Sequence, residues 1–160
     1  MAVKSKLQKG TTIEVYLPVR DPEDVIEDSL DETIPMGDER ILFVDDEKML
    51  ADLAAKMLKR LGYHVTVCMS SVEALEIFQQ RTDDFDLVVT DQTMPIMDGA
   101  RLSIKMLQIR PDIPIVLCTG YSSVISEKRA KDLGIKELVL KPLRTKEVAR
   151  VMRKVLDENC

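Results

Sequence analysis

The stretch "ILFVDDEKMLADLAAKMLKRLGYHVTVCM", residues 41–69, decides the fold class because its hydrophobic spacing changes twice. Residues 41–44 are a short apolar run, typical of a strand that is buried on both faces. Apolar residues then recur at helical spacing over residues 49–61, and Gly62 follows at a position where helices commonly end. Residues 64–69 predict a second strand. A strand, a helix and a strand in succession predict a right-handed βαβ unit with parallel strands.

The same alternation continues to the end of the chain. Strands are predicted in "FDLVVTD" (85–91), "IPIVLCTG" (113–120) and "ELVLKP" (137–142). Helices are predicted after Ser70, which forms a capping box with Glu73, over residues 102–109 and 123–133, and after a cap at Thr145. Five βα units predict an α/β fold, a doubly wound parallel sheet of five strands, (βα)5.

Composition limits the classes of function. Only 4% of the 160 residues are aromatic and no basic face stands out, which argues against nucleic-acid binding. No apolar run could cross a membrane and no signal peptide is visible, so we expect a cytoplasmic protein without membrane contact. Three widely spaced cysteines predict reduced thiols. Residues 21–39 hold nine acids and no base, which predicts a solvated linker.

Charged and hydroxyl side chains follow the predicted strands. Asp45 and Asp46 come after the first strand and Asp91 after the third, while Thr119 ends the fourth and Lys141 the fifth. The carboxyl ends of parallel strands share one edge, where ligands bind. Three carboxylates favour Mg²⁺, a lysine holds a phosphoryl oxygen, and one carboxylate can act as nucleophile. The pattern predicts Mg²⁺-dependent formation of an aspartyl phosphate.

Four motifs, "ILFVDDEKML", "LVVTDQTMPIMDG", "IPIVLCTGYSS" and "LVLKPL", together resemble the receiver domain of two-component response regulators over about residues 40–157. The resemblance implies a flavodoxin- or CheY-like fold. It also implies that a histidine kinase phosphorylates Asp91, and that Thr119 and Lys141 are the family's switch hydroxyl and invariant lysine. Asp46 and Asp91 are then side-chain Mg²⁺ ligands, the Thr93 carbonyl is a third ligand, and Asp45 acts through metal-bound water.

Two positions depart from the family pattern. The family often has an aromatic residue three positions before the lysine, where this chain has Leu138. Leu138 has no ring that could turn inward, so the usual coupling between threonine and aromatic residue is in question. Tyr121 and Thr93 match positions that overhang the phosphoryl group in the family. We hypothesise that Tyr121 restricts the attacking water and slows hydrolysis.

The first residues form a separate pattern. In "LQKGTTIEVYLPV", residues 7–19, apolar and polar residues alternate as in a strand until Pro18. The segment resembles the end of histidine-kinase ATP-binding domains, where it forms the last strand of the sheet; a tag or an unrelated arm is the alternative. The resemblance implies a kinase remnant at 1–18, an acidic linker at 19–38 and a receiver at 39–158.

The predicted function is therefore that of the receiver of a hybrid sensor histidine kinase. It accepts a phosphoryl group on Asp91 from the phosphohistidine domain of a kinase, and regulates that kinase or passes the group to a His phosphotransfer protein. The chain lacks ATP-binding glycines and a phosphohistidine helix, so we expect no ATP-dependent kinase activity from it. The alternatives are a stand-alone regulator, a receiver that only binds partners, and a hydrolase. A hydrolase needs a general acid where this chain has Thr93.

Overall fold

The computed structural model describes residues 2–6, 10–16, 34–120 and 125–159, and the chain divides into two compact units, Met1–Thr33 and Ile34–Cys160. The first unit contains an antiparallel hairpin of β1 (Ala2–Lys6) and β2 (Gly10–Glu14). The strand predicted in this region is present as β2, but it ends at Glu14, so Val15 and Tyr16 lie beyond it, and the rest of the predicted segment, from residue 17, lies outside the described residues. Sequence reasoning missed β1, because "AVKSK" carries two lysines and a serine and shows little hydrophobic pattern.

The second unit alternates strands and helices in chain order. Its strands are β3 (Arg40–Val44), β4 (His64–Cys68), β5 (Leu87–Asp91), β6 (Ile115–Thr119) and β7 (Glu137–Leu140). Its helices are α1 (Lys48–Arg60), α2 (Ser71–Gln80), α3 (Gly99–Ile109), α4 (Glu127–Asp132) and α5 (Thr145–Asp157). Each predicted strand and helix of the unit is present, with ends that differ by a few residues.

The five strands form one parallel sheet in the order β4-β3-β5-β6-β7. This confirms the predicted doubly wound α/β fold. The chain builds outward from β3 to β4 and then crosses back to β5, so the strand order reverses between β3 and β5. In open parallel sheets the crevice at such a reversal, beyond the carboxyl ends of the strands, is the usual binding site.

The sheet separates two layers of buried side chains. Alternate residues of β3 point to opposite faces, so Ile41 and Phe43 pack with helices α1 and α5. Leu42 and Val44 pack with α2 and α3 on the other face. All four side chains are almost fully buried, and each contributes about 1.5–3 kcal/mol of hydrophobic free energy. Burial on both faces explains why these strands are continuous apolar runs.

The two predicted helix caps can be compared with the structure. Ser70 caps α2, accepting a hydrogen bond from Val72 N at 3.3 Å. The prediction that Thr145 caps α5 is wrong by one residue: Arg144 is the N-cap, and its carbonyl accepts the first helical bond from Val148 N at 2.9 Å. The start predicted for α4, residues 123–124, lies outside the described residues. Within the described residues, every helix is too short or too polar to span a bilayer.

Candidate functional site

The backbone brings the ends of the five strands of the second unit together at the carboxyl edge of the sheet. Asp45 N donates to Cys68 O at 3.2 Å, and Gln92 N donates to Cys118 O at 2.8 Å. Lys141 N donates to Thr119 O at 2.8 Å. These bonds extend the parallel ladder one residue past the strands. They fix the Cα atoms from which the predicted site residues project.

Lys141 joins two acids at the centre of this edge. Its Nζ lies 2.8 Å from Asp45 Oδ2 and 2.6 Å from Asp91 Oδ1. The two carboxylate side chains are only 2% and 7% exposed, and that of Lys141 is 22% exposed. Burial by itself lowers the pKa of Lys141, but the hydrogen bonds to Asp45 and Asp91 outweigh it and raise the pKa above its ordinary value. The lysine therefore remains an ammonium.

The outer oxygens of both carboxylates accept backbone hydrogen bonds. Glu47 N donates to Asp45 Oδ1 at 2.9 Å, and Thr93 N donates to Asp91 Oδ2 at 2.8 Å. Each of the four carboxylate oxygens thus has a donor, so both planes are held in fixed orientations. Sequence reasoning missed these two amides, because any residue type can supply a backbone N–H.

The remaining predicted site residues lie at the same edge with different exposure. Thr119 is the last residue of β6 and is buried, and its Oγ1 donates to Gly120 O at 3.1 Å. Asp46 and Thr93 are exposed. The structure therefore brings Asp45, Asp91 and Lys141 into contact and places the other three residues beside them.

The predicted Mg²⁺ ligands are oxygen atoms of Asp45, Asp46, Asp91 and Thr93. In the part of the chain that the structure describes, no three His, Cys, Asp or Glu side chains are gathered closely enough to hold a metal. The predicted ligands nevertheless fit Mg²⁺, which takes hard oxygen ligands. An ionised carboxylate has about four acceptor positions, and the bonds from Lys141 and the backbone amides occupy only two of them on Asp45 and two on Asp91. This ligand set remains a prediction.

The loop after Asp91 holds α3 against the nucleophile candidate. Gly99 N donates to Gln92 O at 3.0 Å, and a Cβ added to Gly99 would lie 2.2 Å from the carbonyl oxygen of Asp91. Only glycine permits this approach. Asp98 caps α3 by accepting from Arg101 N at 2.8 Å. The Asp-Gly pair at residues 98–99 is the only sequence signal for this contact, and the helix predicted from residue 102 begins three residues too late to include it.

An apolar groove of about 360 Å³ opens beside the acid–lysine cluster. Asp45 and Lys141 form one side of the groove, and α1 and the segment after β7 supply the rest, through Leu50, Leu53, Ala54, Met57, Pro142 and Leu143. Of the residues that line it, Leu53 is 66% exposed and Leu50 is 37% exposed. Large apolar side chains next to a reactive site are typical of a surface that binds another protein.

Comparison with known proteins identifies the family. Residues 41–153 match the response regulator receiver domain. The chain belongs to this family. The match spans β3 to α5 and includes every site residue named above, so the predicted resemblance to a receiver is confirmed.

Curated relatives of this receiver include plant response regulators. It is 33% identical over 123 residues to the two-component response regulator ARR11 of Arabidopsis thaliana, covering 74% of this chain and 23% of the relative. It is 32% identical over 121 residues to ARR14 of the same plant, covering 76% and 32%. This chain therefore spans about a quarter to a third of the length of these relatives.

Solved structures give the same fold. A response regulator receiver domain protein from Clostridium thermocellum superimposes with a TM-score of 0.72 at 25% identity, covering 75% of this chain and 95% of that one. A CheY-like receiver from Methanospirillum hungatei JF-1 superimposes with a TM-score of 0.70 at 27% identity, covering 77% and 97%. The receiver fold thus occupies the second unit of this chain.

Of the two positions that depart from the family pattern, Leu138 lies within the described residues and Tyr121 does not. Leu138 is half-buried on β7 and packs against a small cluster formed by Leu117, Ala130 and Ile135. An aliphatic side chain therefore occupies the position where many receivers carry a ring. Tyr121 lies outside the described residues, and its effect on hydrolysis remains a hypothesis.

Proposed function

We propose that this receiver accepts a phosphoryl group from a phosphohistidine onto Asp91 in a Mg²⁺-dependent reaction. In this step an Asp91 carboxylate oxygen bonds to phosphorus while the P–N bond to the imidazole breaks. The electron pair returns to the ring nitrogen, which takes up a proton. The observation that carries the proposal is the buried contact of Lys141 with both Asp45 and Asp91.

The residues of the edge have distinct roles in this proposal. The amide of Thr93 holds the Asp91 carboxylate toward the incoming phosphorus. The ammonium of Lys141, freed from Asp91 as that acid becomes an acyl phosphate, binds a phosphoryl oxygen. The hydroxyl of Thr119 donates to another oxygen. Asp46, Asp91 and the Thr93 carbonyl would hold Mg²⁺, with Asp45 acting through water, and the ion would supply positive charge to offset that of the phosphoryl group.

Intact mass spectrometry with a small acyl phosphate tests the acceptor. We expect the protein to gain one phosphoryl group with Mg²⁺ and none with EDTA, and Asp91→Asn to gain none. The matched control is Asp52→Asn, which changes an exposed acid on α1 that pairs with Lys48. It should be modified like the parent. If the parent stays unmodified, the phosphoacceptor role is wrong and a receiver that only binds partners is favoured.

Metal binding needs a readout that does not depend on phosphorylation. We expect Mg²⁺ titration to shift the amide NMR signals of Glu47 and Thr93, because both donate to the carboxylates beside the predicted site. Asp46→Asn should weaken this response. Unchanged spectra at millimolar Mg²⁺ would contradict the ligand set.

The groove beside α1 supports docking of the donor's helix. A helix that carries the phosphohistidine can lay apolar residues against Leu53 and Met57 while its imidazole reaches Asp91. We expect Leu53→Glu to slow transfer from a phosphohistidine protein and to leave transfer from the small acyl phosphate unchanged. Equal slowing of both reactions would indicate damage to the site rather than loss of docking.

We further propose that the receiver belongs to a hybrid sensor histidine kinase and works in the cytoplasm, where the ATP that charges the donor is available. The support is the resemblance of residues 7–19 to the last strand of a kinase ATP-binding domain, together with β2 at Gly10–Glu14. The test is to read the coding sequence adjoining the codon of Met1. ATP-binding glycines and a phosphohistidine helix are expected there, and their absence from that region would reject the hybrid assignment.

A further inference from the structure

Helices α2 and α3 border a second groove, of about 610 Å³, which contains none of the residues of the phosphoacceptor site. Its lining is largely apolar, with Val72 and Leu75 from α2, Ile104 from α3, and Met97 from the preceding loop. Val72 is 39% exposed, although it lies next to the buried layer of α2. An apolar groove between two helices is a common docking surface for an amphipathic helix of another protein.

Ile96 projects at the edge of this groove in an unfavourable state. Its φ is +68°, in the left-handed region that β-branched residues rarely adopt, and its side chain is 85% exposed. The loop cannot easily relax, because Met97 N donates to Pro95 O at 2.7 Å and Gly99 N donates to Gln92 O. Ile96 therefore contributes backbone strain and exposed apolar surface, and neither stabilises the fold. Contact with a partner protein would cover the exposed apolar surface of this side chain.

The charge of the groove identifies the kind of partner. Arg101 and Lys105 extend from exposed positions of α3, one helical turn apart, and both line the groove. Among the residues that the structure describes, no acidic side chain lines the groove. The Asp98 carboxylate is only loosely paired with Arg101, at 3.6 Å from its Nε, and the Arg101 side chain is 71% exposed. The groove thus combines an apolar floor with a positive rim.

We propose that the α2–α3 groove binds an amphipathic helix of a partner protein whose polar face is acidic. The apolar face of that helix covers Ile96 and the groove floor, and its carboxylates pair with Arg101 and Lys105. This surface is separate from the donor groove beside α1. The proposal concerns the unphosphorylated protein and does not depend on the phosphoacceptor role.

Two synthetic peptides of about 18 residues test the proposal, since shorter helices are marginal in water. Both carry leucines at helical spacing, and their polar faces consist of glutamate in one and lysine in the other. Fluorescence anisotropy should show tighter binding of the acidic peptide. Amide NMR shifts should be confined to residues such as Val72, Leu75 and Ile104.

Variants separate docking from other effects. The double variant R101E/K105E should bind the acidic peptide about tenfold more weakly and should gain affinity for the basic one. The control K59E/K136E reverses two exposed lysines outside the groove and should bind like the parent. Ile96→Asn should weaken binding without lowering thermal stability, which excludes unfolding as the cause. Equal affinity for both peptides, shifts elsewhere, or unchanged binding by R101E/K105E would overturn the proposal.

Discussion

Replacement of Lys141 by methionine tests the physical basis of the site. Methionine keeps most of the apolar stem and removes the ammonium. Asp45 and Asp91 would then keep one backbone donor each, from Glu47 N and Thr93 N, and would lose their shared cation. Their side chains are 2% and 7% exposed, so water can compensate only in small part. Two like charges would remain in a poorly solvated cavity.

The expected loss of stability follows from opposing terms. At an effective dielectric constant near 20, each ammonium–carboxylate contact supplies a gross attraction of roughly 5 kcal/mol. Desolvation of the ions and repulsion between the two carboxylates cancel most of it. Removing one partner of a buried ion pair costs about 3–5 kcal/mol, because the other charge stays buried without compensation. We expect Lys141→Met to lower the free energy of unfolding by this amount in metal-free buffer at pH 7.

Urea denaturation followed by circular dichroism measures this loss, and a double-mutant cycle assigns it. Asp91→Asn should recover about 1–2 kcal/mol in the Lys141→Met background, because it removes one of the stranded charges. The control Lys136→Met alters an exposed lysine and should change stability by less than about 0.5 kcal/mol. A loss below about 1 kcal/mol for Lys141→Met, with no coupling to Asp91→Asn, would refute the buried ion cluster.

Three further outcomes are expected. Ile96→Asn should raise stability by about 1 kcal/mol and the Tm by about 3 °C, because asparagine tolerates a positive φ and the isoleucine buries little surface. The pKa of Asp86 is lowered chiefly by its hydrogen bond from Arg40. The ionised carboxylate therefore makes its full contribution to the free energy of unfolding above pH about 4, and this contribution disappears as pH falls through the lowered pKa. Asp86→Asn should cost under about 1 kcal/mol at pH 7, and urea denaturation at lower pH should show this cost shrinking below pH about 4. Gly99→Ala should cost about 1–3 kcal/mol and slow phosphorylation, because its Cβ meets the Asp91 carbonyl at 2.2 Å.

For each of these outcomes there is a result that would contradict it, and Gly99→Ala also has a control variant. Gly120→Ala adds a Cβ that meets no described residue within 4 Å, so it should cost less stability than Gly99→Ala. Equal costs would show that the close approach to Asp91 is unimportant. A constant Asp86→Asn difference from pH 7 to pH 2 would show that the effect is not due to ionisation. A lower Tm for Ile96→Asn would contradict the strain at that residue.

The fold could be predicted from sequence because hydrophobic spacing alone determined most of it. Residues 41–44 read as a strand since both faces are buried, and the structure extends that strand only to Arg40. The polar strand β1 could not be found this way, because it is held by hydrogen bonds to β2 and its side chains are mostly exposed, so it has no hydrophobic spacing. Helix ends were less accurate where, as at Arg144, backbone geometry rather than a capping side chain sets the start.

The part of the candidate site that could be predicted is the set of side chains that residue types at the strand ends identify. Asp45, Asp91 and Lys141 meet because the parallel ladder carries their strands to one edge, which follows from topology. The backbone donors Glu47 N and Thr93 N could not be predicted, since they depend on loop conformation. Nor could the positive φ of Ile96, because nothing in an isoleucine indicates a left-handed backbone.

The sheet divides the buried side chains of the receiver into two layers that share no cluster: α1 and α5 lie over one face, α2 and α3 over the other. Substitutions in one layer are therefore largely free of the packing requirements of the other. The chemistry at the strand ends depends on the sheet itself and on neither layer alone. Designers could change the exposed residues of the α2–α3 groove to recruit a new partner while keeping the acceptor reaction, provided that the contact of Gly99 with Asp91 is kept, which makes this face a natural place to rewire a signalling route.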